Sequence, residues 1–176
     1  MGLNWSTDRR KFLTMGGALF AGIAARPHFA WAADGDTLRL RATADLQVLD
    51  PKGIIGELDD IIPRCTQVTL VRLGDMRDGN QITPYAAKVF EWKDPKTIAF
   101  TLHDYLTWNN GFGPVTAEDV KFSFERIKGS DSAWAYQFEK LDNVEVIDQH
   151  SGLIHLKEPF KPFVYISLPY YGGHIV

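Results

Sequence analysis

His103, His150 and His155 are the side chains best suited to hold a metal or move a proton near neutral pH. Their spacing offers no local site. None belongs to an H-x-x-x-H or H-E-x-x-H pattern, which would put two imidazoles on one helix face. A metal centre would need the fold to gather them, and a lone strand histidine such as His155 is more often a satisfied structural residue. Cys65, the single cysteine, has no histidine beside it in sequence, and no G-x-S-x-G nucleophile turn occurs. Gly111-Phe-Gly113 lacks a third glycine and runs into Pro114, so it does not read as a phosphate loop. Glu118 and Asp119 are explained by a helix N-terminus, where carboxylates stabilise exposed amides. These residues do not specify an enzyme, and no cofactor or metal is expected. The aromatic side chains say more. Trp92, Trp108, Trp134, Tyr136, Phe160, Phe163, Tyr165, Tyr170 and Tyr171 supply core, and some of them suit a ligand cleft, where a ring offers an apolar body and a polar tip.

The elements that position these residues follow from periodicity. Residues 37–43 alternate apolar and polar, the pattern of a strand with one buried face. Pro51 and Gly53 break the segment that follows. Leu58, Ile61 and Ile62 suggest a short helix that Pro63 interrupts, and residues 68–71 look like strand. Gly74-Asp75 and Asp78-Gly79-Asn80 mark turns. Residues 89–92 and 97–103 read as a hairpin around Asp94-Pro95, and residues 143–148 and 152–157 as a second. Thr116-Ala-Glu-Asp119 opens a helix: the hydroxyl caps backbone amides, Val120, Phe124 and Ile127 share one face, and Gly129 ends it. After Glu158-Pro159 the chain is rich in proline and aromatics. It stops at Gly172-Gly-His-Ile-Val176 without a terminal helix or polar tail, which reads as an interrupted ending.

The start of the chain has a different grammar. Arg9, Arg10 and Lys11 form a basic head, residues 12–25 an uncharged apolar stretch, and Ala30-Trp31-Ala32 a small-residue cleavage site. The stretch is shorter than the about 20 residues that span a bilayer. The order Arg9-Arg10, Lys11, Phe12-Leu13 resembles the twin-arginine export signal, with Asp8 in place of its usual Ser or Thr. Such signals are receptor-read addresses; a buried helix and an uncleaved anchor are the competing readings. Cleavage after Ala32 leaves residues 33–176. The first 32 residues hold four basic side chains and one acid, so the remainder carries about −6 against −3 for the whole chain. An acidic remainder is a poor partner for nucleic acid. One cysteine allows no intrachain disulfide.

The order of motifs resembles the N-terminal part of the family 5 solute-binding proteins, extracytoplasmic receptors of peptide and nickel ABC importers. The carrying residues are Val48-Leu-Asp-Pro51, Ile82-Thr-Pro-Tyr-Ala-Ala87 before Trp92, Thr97-Ile-Ala-Phe-Thr-Leu102, Trp108, and above all Gly113-Pro-Val-Thr-Ala-Glu-Asp-Val-Lys-Phe-Ser-Phe-Glu-Arg126. Val144-Glu-Val-Ile-Asp148 and Leu156-Lys-Glu-Pro-Phe160 continue it, so the likeness covers residues 37–176. Asn109-Asn110-Gly111, with an added Phe112-Gly113, replaces the family's usual His-Asp-Gly. The resemblance implies an α/β fold, the first part of a two-lobed periplasmic-binding-protein-like architecture with mixed strands and few helices. Residues 1–32 are then a signal and residues 33–176 an incomplete domain lacking the second lobe. It implies a periplasmic protein, exported by the twin-arginine machinery, that binds a peptide or similar small solute by hinge closure and delivers it to ABC permease subunits. Ligand contacts from this half are expected from the loop of Ile55 and Glu57, from Arg64, and from Trp134; Ile55 stands where the family often bears an acid. A truncated, non-transporting fragment or interaction domain is the alternative, and a periplasmic enzyme a third.

Overall fold

The computed structural model describes Arg41 and residues 45–176 apart from 56, 75, 76, 78 and 80; the side chains of Glu57 and Leu58 also lie outside the described ones. The signal segment, with Arg9, Arg10, Phe12, Leu13, Ala30 and Ala32, lies outside these residues, as does most of the strand expected over 37–43.

The helix expected after Thr116 organises the core. It is α2, Ala117–Glu125, and Thr116 closes a capping box with Asp119: the Thr116 hydroxyl accepts from the Asp119 amide, while the Thr116 amide donates to the Asp119 carboxylate at 2.7 Å. Two orphan amides are satisfied together, which fixes where the helix starts. Val120, Phe124 and Ile127 are buried as their spacing requires. Gly129 follows with φ +68°, the left-handed conformation that favours glycine after a helix.

Against this apolar face lies a four-stranded antiparallel sheet in the order β4-β5-β7-β6, from β4 (Ala87–Asp94), β5 (Thr97–Leu102), β6 (Leu141–Val146) and β7 (Ser151–Leu156). Both expected hairpins are present, with strand ends moved by a residue or two. Along β5 and β7 every second residue is buried, so Ile98, Phe100 and Leu102, and Ile154 and Leu156, face the core. Gly152 sits across from Phe100, and a Cβ there would come within 2.7 Å of the phenyl ring and of the Glu145 carbonyl. Glycine at this position lets the ring lie over the neighbouring strand.

Two smaller antiparallel pairs complete the described strands: β2 (Val71–Leu73) with β3 (Ile82–Pro84), and β1 (Val68–Thr69) with β8 (His174–Ile175). The second pair joins positions a hundred residues apart, and the proline- and aromatic-rich tail gave no sign of it. The tail also forms one helical turn, α3 (Phe163–Ile166), and a 3-10 turn, Tyr171–Gly173. Another difference concerns α1, Glu57–Thr66: Pro63 lies inside it and does not end it. Proline removes one helical hydrogen bond, yet the helix continues, with the Gln67 amide donating to the Pro63 carbonyl at 2.7 Å and the ring itself buried. The Asp59 carboxylate on the same helix accepts from the amides of Gln47 and Val48 and ties the preceding segment to α1.

Candidate functional site

The segment before α1 is a strap, residues 45–55, laid along residues 126–134. Asp50 caps the 3-10 turn Pro51–Gly53 by accepting from the Lys52 amide, and its two oxygens receive both terminal nitrogens of Arg126. Burial pushes the Asp50 carboxyl up, but the Arg126 guanidinium and the Lys52 amide outweigh it and hold the group below its ordinary range. Beyond it, Lys52 pairs with Asp131 at 2.9 Å and the Ser132 hydroxyl donates to the Lys52 carbonyl at 2.7 Å. The last tie is the Trp134 indole, whose N–H donates to the Ile54 carbonyl at 2.7 Å. These polar ties set the side-chain alternation of the strap: Ile54 is fully buried, and Ile55 is 85% exposed. Between strap and loop runs an open groove of about 390 Å³, bordered by Val48, Ile54, Ile55, Lys52 and Ser132.

Trp134 also begins a row of rings. Tyr171 stacks on it face to face, centroids 3.8 Å apart and planes 2° from parallel, and Tyr136 lies tilted beside Trp134 with centroids 6.4 Å apart. Tyr170 lies 6.1 Å from Tyr171, and the Arg64 guanidinium sits over the Tyr170 ring at 5.1 Å while its Nε holds Asp60. Ring stacking and the cation over a ring face each add about 1 kcal/mol beyond buried area. Gly172 and Gly173 bring this part of the tail onto the core. A Cβ on Gly172 would strike Phe138 and Ile127, and one on Gly173 would lie 2.2 Å from the Leu168 carbonyl oxygen. The backbone approaches closely there, and Tyr171, at φ +28°, is turned out onto Trp134.

Two positions expected from sequence, Arg64 and Trp134, are thus linked by a row of rings, and a third, Ile55, follows the residue whose carbonyl Trp134 holds. Ile55 comes from the strap, Arg64 from α1 and Trp134 from the loop after α2. Glu57 opens α1 beside them, its side chain outside the described ones. Sequence reasoning counted Tyr170 and Tyr171 only among many aromatics; the adjoining Gly172-Gly173, which demands close backbone approach, was the signal that marked them. The histidines are placed apart. His155 pairs with Glu145, His103 stacks on Tyr105, and His174 donates from its buried ring to the Tyr171 carbonyl. Among the described residues no three His, Cys, Asp or Glu side chains cluster as a metal site. The ring row and the strap offer ring faces, an aliphatic side chain and a guanidinium, which is the chemistry of holding a small solute.

Residues 81–176 match the family described as bacterial extracellular solute-binding proteins, family 5 Middle. The probable D,D-dipeptide-binding periplasmic protein DdpA of Escherichia coli K12 is 33% identical over 133 residues, 74% of this chain and 26% of that protein. Among solved structures, MoaA of A. tumefaciens R10, in complex with mannopinic acid, superposes with a TM-score of 0.66 at 25% identity, covering 75% of this chain and 27% of that one. The murein tripeptide-binding protein MppA of Escherichia coli gives 0.61 at 25% identity, over 73% and 28%. The chain therefore spans about a quarter of the length of the relatives it matches. With more than half of its residues matched, the chain belongs to family 5 of the bacterial extracellular solute-binding proteins.

Proposed function

We propose that this chain is the N-terminal, ligand-contacting part of a periplasmic receptor that delivers a peptide or similar small solute to an ABC permease. Export runs through the twin-arginine route on the signal of Arg9, Arg10, Phe12 and Leu13, with cleavage after Ala32. Ligand lies against Trp134 and Ile55, with Arg64 and Glu57 supplying charge at either end of α1, and no bond of the ligand is made or broken. The observation that supports this reading is the row of rings from Trp134 through Tyr171 and Tyr170 to Arg64, with Ile55 exposed next to the Ile54 carbonyl that Trp134 holds. Peptides are the favoured solutes because the named ligands of DdpA and MppA are peptides.

The test is a calorimetric titration of the full chain with a D,D-dipeptide and with an L-tripeptide. Saturable binding is expected from the wild type, and Trp134→Ala should weaken it about tenfold or more, as for a buried aromatic anchor. Unchanged affinity in that variant removes Trp134 from the site. A wild type that binds neither peptide removes the peptide class.

A further inference from the structure

A second cavity, about 290 Å³, opens between the C-terminal end of α1, the β2–β3 ribbon and the tail before β8. Its wall includes Arg64, Gln67, Arg72, Tyr85, Pro169 and His174. Two arginines line it and no aspartate or glutamate does. Arg64 is partly neutralised by Asp60 behind it, whereas Arg72 has no ion pair among the described residues. The Arg72 guanidinium lies over the Tyr85 ring, 5.3 Å from its centroid, which holds the fork in place while leaving its N–H groups to the cavity side or to water. Gln67 adds a carboxamide whose Oε1 is buried without a partner among the described residues. Turning that amide over exchanges the acceptor for a donor.

We infer that this cavity is a binding site for a small oxyanion, a carboxylate or phosphate group, received by Arg72 with Arg64 and Gln67. Guanidinium forks match such groups in a bidentate manner. The site shares Arg64 with the ring row but draws otherwise on β2, β3 and the tail, so it is a separate position from the groove beside Trp134. Its volume suits a small ion or the anionic end of a solute and not a whole peptide.

The experiment titrates the full chain with inorganic phosphate and, separately, with succinate, at constant ionic strength against chloride. A saturable heat with one of the two is expected, and which one saturates decides between phosphate and carboxylate. Arg72→Gln should lower that affinity about tenfold, the loss of one charge-assisted contact, and Arg72→Lys should recover part of it. Arg72 is exposed, so both variants should keep the wild-type far-UV spectrum. Two results overturn the inference: neither anion saturating above chloride, or Arg72→Gln titrating like the wild type. The peptide titration is read with different ligands on different residues, so either reading fails without the other.

Discussion

In the core between α2 and the sheet, Phe100, Phe124, Phe138 and Ile154 are buried, whereas along the strap and ring row Ile55 and Tyr136 stand 85% and 64% exposed. The first region is held by apolar surface removed from water, which is non-directional and scales with area. The second is held by a few directed contacts: the Asp50–Arg126 pair, the Trp134 hydrogen bond to Ile54 and the stack of Tyr171 on Trp134. Exposed ion pairs of this kind contribute about 0–1 kcal/mol each. The outer region therefore derives its order from the inner one, and it can present ring faces to a ligand because its contacts do not bury them completely. The strap and tail reach the core through α2 and its neighbours: the Val176 amide donates to Ser123 at 2.9 Å, and Gly172 rests on Phe138 and Ile127.

The largest expected effect comes from breaking the inner region. Phe124 is fully buried and packs at 5.6 Å from Phe138. Phe124→Ala should cost about 3–5 kcal/mol by lost transfer energy and cavity formation. Denaturant unfolding measures it, and the near-UV signal of the ring row should disappear with the far-UV signal of the sheet in one transition. If the near-UV signal outlasts the far-UV signal, the dependence of the outer region on the sheet is wrong.

A smaller effect separates the two regions. Gly173→Ala places a methyl group 2.2 Å from a backbone carbonyl oxygen, a position that no side-chain rotation relieves. Overpacking of this kind costs about 1–3 kcal/mol, and here the cost falls on the tail. The expected result is loss of the stacking signal between Tyr171 and Trp134 in near-UV circular dichroism, with the far-UV spectrum of the sheet retained. A variant with the wild-type near-UV spectrum would show that Tyr171 does not depend on this backbone approach.

The same division explains what could be read in advance. Thr116 with Asp119, the face of Val120, Phe124 and Ile127, and the two hairpins are local patterns, and each appears where expected. Pro63 misled because its helix tolerates it by burying the ring, a tertiary effect. The pairing of Val68 with Ile175, and the meeting of Ile54 with Trp134, join residues 107 and 80 positions apart. Neither a period nor a turn signal encodes such contacts. Arg64, Ile55 and Trp134 were reached through resemblance to a family and not through their own spacing; the ring row that links Arg64 to Trp134 came only with the fold.

The smallest expected effect concerns pH and bears on the outer region alone. His174 is buried in β8, opposite Thr69. Burial is the dominant influence and favours the neutral ring; the hydrogen bond to the Tyr171 carbonyl and the Asp60 carboxylate favour the charged form, and Arg64 opposes it. Burial prevails, so the imidazole titrates below its ordinary value of 6.5. An unfolded chain then binds a proton that the folded chain refuses, so stability rises with pH across this range. The contribution is present above about 6.5 and is lost as pH falls toward and through the depressed folded value. Amide exchange, corrected for its intrinsic pH dependence, should show protection at residues 68–69 and 174–175 declining from pH 7 to pH 5 while residues 97–102 hold theirs. His174→Gln, which cannot take up the proton, should abolish the difference between the two strand pairs. Equal loss of protection in both would mean that acid acts on the whole domain, and the independence of the sheet from the tail pairing would have to be given up.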